Sequence, residues 1–129
     1  FAIVYVHWGI ERDEYPQDYQ RTMGKQYIDA GADMVIGSHP HVLQGMEYYN
    51  GKPIVYSLGN FVFGSSIPKT ALLTADWDGE NLSLVFVPGT SSGGYTRPLT
   101  GEDEKQAFYQ YLTGLSYGVV IDGEGCRQE

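Results

Sequence analysis

The run from Phe1 to Val6 (Phe-Ala-Ile-Val-Tyr-Val) is apolar at every position and rich in β-branched and aromatic residues. Such a run reads as a strand buried on both faces, the setting of a parallel sheet. Pro16 suits the first turn of a helix. Tyr19, Met23, Tyr27 and Ala30 then recur at helical spacing and define one apolar face, and Gly31 supplies the stop. Met34 to Ile36 begins a second short apolar strand. Strand, helix and strand in this order predict a right-handed crossover between two parallel strands, which fixes an α/β fold class.

The pattern then changes to hairpins. Val42 to Tyr49 and Pro53 to Leu58 flank Asn50-Gly51, a pair that favours the left-handed turn positions. Thr70 to Trp77 and Leu82 to Val87 flank a second turn at residues 78–81. Gly89 to Gly94 (Gly-Thr-Ser-Ser-Gly-Gly) reads as loop, and Glu102 to Leu115 as a helix with acidic residues in its first turn. Val119 to Ile121 is a last short strand, and the tail from Gly123 is expected to fray. No internal repeat or linker divides the 129 residues, so residues 1–129 read as a single unit. Its residues 1–64 carry the motifs described below, and its residues 65–129 add a hairpin and a helix. A strand at residue 1 predicts an excerpt from a longer protein.

A net charge of −8 repels phosphate backbones and argues against a nucleic-acid partner and, less strongly, against this piece alone holding a polyanionic substrate. The single cysteine, Cys126, excludes an internal disulfide and a cysteine-based zinc cluster, and reads as a bystander near a loose end.

All three histidines fall within the first 41 residues, at the ends of predicted strands. In an open α/β sheet ligands gather beyond the carboxyl ends of the parallel strands. His7 stands at that end of the first strand and His39 just beyond that end of the second. Pro40 is expected to hold His39 extended, and extended residues two apart project to the same side, so His39 and His41 are expected to face one site. Imidazole suits transition metals, although strand-end histidines also bond loop carbonyls. Glu11, four residues after His7, is either a carboxylate that orients an imidazole or part of a solvated loop. Asn60, beyond the strand ending at Leu58, is either a rim residue or a turn residue with an unusual backbone angle. Nucleophile elbows and phosphate-binding glycine loops have no match here.

Three ordered segments carry a more specific signal: His7-Trp8-Gly9-Ile10-Glu11, then Ala30 through Val42 with Gly37-Ser38-His39-Pro40-His41, then Gly51 through Phe61 with Ser57-Leu58-Gly59-Asn60. Together they closely resemble the CapA family of poly-γ-glutamate capsule-biosynthesis proteins, within the calcineurin-like metallophosphoesterase superfamily. The resemblance covers roughly residues 2 to 64 and implies a β-sandwich flanked by helices, of which this chain would be the C-terminal half. It implies divalent metal ions (manganese, zinc or iron) held by His7, His39 and His41, with Glu11 and Asn60 at catalytic or rim positions. Metal-assisted hydrolysis of a phosphoester is the chemistry it implies, with a cell-envelope setting, membrane-anchored or extracellular.

The resemblance also implies ligands that are absent from these residues. A D-x-H segment, a Gly-Asp segment and an Asn-His segment belong earlier in the superfamily pattern, and two close ions need a bridging carboxylate. The expectation is therefore one side of a two-metal site, with the fragment alone inactive and not retaining its metal. The expected partners are the missing N-terminal half, a membrane polymer-synthesis complex, and further copies of the fragment through unpaired strand edges. Two other readings remain open: a non-catalytic component of such a complex, and a metallophosphoesterase unrelated to capsules.

Overall fold

A computed structural model describes all 129 residues. Strand β1 (Ile3–His7) leads through helix α1 (Asp18–Asp29) to β2 (Met34–Ser38), and β1 and β2 pair in parallel from Ile3↔Met34 to His7↔Ser38. Strands β3 (Leu43–Tyr49) and β4 (Lys52–Leu58) form the hairpin that Asn50-Gly51 predicts, with φ of 52° and 75° at the two turn residues. Strand β4 inserts beside β2 in parallel, so the sheet order is β1-β2-β4-β3. Parallel pairing puts the carboxyl ends of β1, β2 and β4 on one edge.

The two faces of this sheet are covered differently. Val35, Ile54 and Tyr56 pack with Trp8, Ile28 and Ala32 under α1. Met34, Ile36, Leu43, Met46 and Val55 face a larger core, built with a second sheet, helix α2 (Glu102–Leu115) and strand β8 (Val119–Asp122). That second sheet contains β5 (Ile67–Trp77), β6 (Leu82–Ser92) and β7 (Tyr95–Pro98), in that order. The result is a mixed α/β fold, as the sequence predicts.

Four expectations need correction. Strand β1 is not buried on both faces: Val4 and Val6 pack inward, whereas Ile3 and Tyr5 are 54% and 70% exposed. It is the edge strand, and the larger core does not extend beneath it. Helix α1 starts at Asp18 and buries Gln20, Gly24 and Ile28, with Met23 and Tyr27 only partly covered and Tyr19 and Ala30 exposed. Gln20 is buried because its amide accepts from the Gln17 N–H (2.7 Å) and donates to Gln44 Oε1 (3.1 Å), so its polar atoms are paired.

The segment 89–94 is not wholly loop. Residues 89–92 complete β6, because they pair with β7, and only Gly93-Gly94 turn. The tail is not frayed either, since β9 (Gly125–Gln128) pairs with β8. Cys126 lies in that strand, and burial pushes its thiol up to about 12.

Trp8 fixes the carboxyl edge. Its backbone N–H donates to Ser38 O (3.0 Å), and its indole N–H crosses β2 to donate to the Tyr56 carbonyl (2.9 Å). The crossing requires glycine beneath it: a Cβ on Gly37 would lie 2.0 Å from Tyr56 O and 2.2 Å from Trp8 Nε1.

Candidate metal centre

Beyond Ser38 the chain must reverse direction and pass the end of β4 to enter β3 at Leu43. It does so through His39-Pro40-His41, and both histidines adopt positive φ, 102° and 65°. The extended His39 expected before Pro40 is thus overturned, because the reversal has too few residues to be made from extended backbone. Positive φ is unusual for non-glycine residues and costs on the order of 1–3 kcal/mol each, a strain that concentrates at functional sites. Arg12, also at positive φ, donates its N–H to the Pro40 carbonyl (2.8 Å). This bond clips the loop after β1 to the histidine turn and brings Glu11 to it.

The three histidine rings gather at the strand ends, but His7 stands outside the group of donor atoms that could share one ion. The His7 and His39 rings lie 4.2 Å apart between centroids, and the His39 and His41 rings 5.8 Å apart, edge to face. The donor atoms of Glu11, His39 and His41 all lie within 4.8 Å of one another. Glu11 therefore stands with the imidazoles as a potential ligand, a closer placement than an orienting role behind one of them. His7 flanks this trio with its ring tilted against that of His39. Two imidazoles and a carboxylate form a donor set suited to zinc, iron or manganese. Ligands of one ion at about 2.0–2.2 Å stand roughly 3–4 Å apart, so the trio fits a single divalent ion after a small side-chain rotation.

Asn60 holds His41. Its amide oxygen lies 2.9 Å from His41 Nδ1, so Nδ1–H donates to it and the Nε2 lone pair is left for a ligand. Asn60 is itself fixed through its backbone, whose carbonyl accepts from the buried Thr70 hydroxyl (2.7 Å). The preceding Gly59 donates its N–H to Ser57 Oγ (3.1 Å), and that hydroxyl donates to Val42 O (2.8 Å). Both β4 and the histidine turn are tied into this small network.

A cavity of about 350 Å³ opens beside His41, walled by residues from the loop after β1, from β5 and from α2. Arg12 and Lys69 both line it, as does Asn60. The sequence reading passed over these two cations. Lys69 was not legible because its aim depends on an irregularity in the β5–β6 pairing between Ile67 and Thr70.

This geometry sits in the part of the chain that matches a known family model: residues 1–65 match that of the bacterial capsule synthesis protein PGA_cap. The chain belongs to the PGA_cap family. It is 52% identical over 69 residues to the PGA biosynthesis protein CapA of Bacillus subtilis, a match covering 54% of this chain and 18% of that relative. It is 39% identical over 116 residues to the capsule biosynthesis protein CapA of Bacillus anthracis, covering 87% of this chain and 28% of the relative. A probable polyglutamine synthesis accessory protein of Mycobacterium tuberculosis matches at 39% over 61 residues, 47% of this chain and 16% of its own length. The chain thus spans less than a third of the length of these relatives. No helix is long and apolar enough to cross a membrane.

Proposed function

We propose that this chain is the C-terminal part of a calcineurin-like metallophosphoesterase domain that serves poly-γ-glutamate capsule synthesis at the cell envelope. The convergence of Glu11, His39 and His41 donor atoms within 4.8 Å, on a strained turn in the family-matched segment, carries this reading. The CapA names of the two Bacillus relatives support the assignment to capsule polymer.

In this reading Glu11, His39 and His41 hold a divalent ion (manganese, zinc or iron), and His7 serves the same centre from the end of β1. When bound, such an ion polarises a phosphoryl or carbonyl oxygen as a Lewis acid. Asn60 acts on His41 by fixing its tautomer, and the Arg12–Pro40 hydrogen bond keeps Glu11 at the turn. Further carboxylate ligands come from outside these residues, since only Glu11 among the carboxylates joins the imidazoles. The exposed outer edge of β1, with Ile3 and Tyr5 beside it, is where the remainder of the longer protein adds its strands.

The test is genetic and chemical together. Deletion of the gene should abolish the polymer, the wild-type gene should restore it, and a His39→Ala gene should not. Unchanged polymer after deletion would remove the capsule role. Full restoration by the His39→Ala gene would show that the protein acts as a non-catalytic surface.

A further inference from the structure

The chain has only eight lysines and arginines against sixteen acidic residues, so where its cations stand unpaired is informative. Arg21 and Lys25 pair with Glu47, Lys52 with Asp33, Lys105 with Glu102 and Arg127 with Asp122. Arg12, Lys69 and Arg97 remain without a carboxylate partner. Two of these three line the same cavity, the one beside His41.

Both are placed there by specific backbone features. Arg12 sits at φ 66°, clipped to Pro40 by its N–H. Lys69 lies in the irregular stretch at the start of β5, and its ammonium stands 4.1 Å from the centre of the Tyr111 ring on α2. The Tyr111 hydroxyl in turn donates to one oxygen of Glu14. The Lys69 ammonium is braced over an aromatic face, and the Arg12 backbone is clipped where its side chain leaves the loop toward the same cavity.

We infer that this cavity is a substrate subsite in which Arg12 and Lys69 bind the carboxylates of a γ-linked glutamate chain beside the Glu11–His39–His41 trio. The inference rests on the capsule reading above and names the residues that would recognise its polymer. Arginine and lysine bind carboxylates through charge-assisted hydrogen bonds. Glu11 and Glu14 also line the cavity, so a chain whose single charges are spaced apart can meet the two cations while keeping clear of those acids, whereas phosphate brings its whole charge to one point.

The test is calorimetric titration of the protein with a γ-linked glutamate oligomer and, separately, with inorganic phosphate. Arg12→Gln and Lys69→Gln should each weaken oligomer binding about tenfold, while Arg97→Gln, the unpaired cation elsewhere, leaves it unchanged. Thermal unfolding should be the same for all three variants, since these side chains are exposed. Equal weakening by Arg97→Gln would mean diffuse attraction and overturn the subsite. No weakening by Arg12→Gln and Lys69→Gln would do the same, and phosphate binding that falls in these variants as much as oligomer binding would overturn the carboxylate assignment. Intact oligomer binding alongside unchanged polymer after gene deletion would remove the capsule role and leave the subsite standing.

Discussion

The amide oxygen of Asn60, just past β4, accepts the Nδ1 proton of His41 from the turn after β2, across 2.9 Å and 19 residues of sequence. This bond ties the tautomer and ring orientation of one candidate ligand to the end of a different strand. Asn60→Ala frees the ring to rotate and to change tautomer, and should weaken divalent-metal affinity about 10–100-fold. Asn60→Asp keeps an acceptor and should retain affinity. Calorimetric titration with manganese or zinc reads both, and equal affinity in the wild type and Asn60→Ala would remove the positioning role.

Gly37 should tolerate nothing larger. A Cβ there meets the Tyr56 carbonyl at 2.0 Å and the Trp8 indole at 2.2 Å, both fixed by their own hydrogen bond. Gly37→Ala should destabilise the fold by on the order of 3 kcal/mol. Gly114, near the end of α2, has open space around its Cβ position, and Gly114→Ala should stabilise by up to about 1 kcal/mol. Urea unfolding of the two variants distinguishes a packing constraint from a general glycine effect.

Much of this framework is legible in the residues, and the failures have physical causes. Asn50-Gly51 announces its hairpin because few other pairs accept two positive φ angles, and the β1–α1–β2 unit and α2 follow from hydrophobic period and caps. The buried face of α1 was missed because hydrophobicity cannot mark Gln20, buried through paired amides, or Gly24, whose missing side chain admits Ile54. The exposure of Ile3 and Tyr5 depends on the edge position of β1, which composition does not encode. At the site, His7, His39 and His41 were legible from strand ends. The positive φ of the histidine turn follows from the short reversal into β3, and the closeness of Glu11 from a tertiary clip, the Arg12–Pro40 bond, neither of which has a local signature.

Asp33 gives the fold a specific acid dependence. The Ala2 N–H donates to its carboxylate (2.8 Å) and Lys52 Nζ lies 3.0 Å away, and these hold its carboxyl below the ordinary value of 3.8. The folded state therefore binds this proton less readily than the unfolded state. The stabilisation is present above the unfolded value and is lost as pH falls through the depressed folded value. Asp33→Asn should be less stable than the wild type at neutral pH, and the gap should close on acidification as the pH falls through the depressed folded value. A gap independent of pH would mean that the side chain acts by shape alone.

Cys126 should be inert in the folded chain. With its thiol pushed up to about 12 by burial in β9, little thiolate exists at pH 8. Alkylation by iodoacetamide should run at least about 100-fold slower than in the urea-unfolded chain. Equal rates would indicate that the β8–β9 ribbon opens readily in solution.

Metal binding by the trio is tested most directly by calorimetric titration of this chain with manganese and with zinc, beside His39→Ala, His41→Ala and Glu11→Gln. One side of a metal centre should bind a single ion weakly, in the micromolar range or above, and each substitution should reduce that binding below detection. Tight uptake of two ions, or binding that survives the loss of His39 and His41, would contradict it.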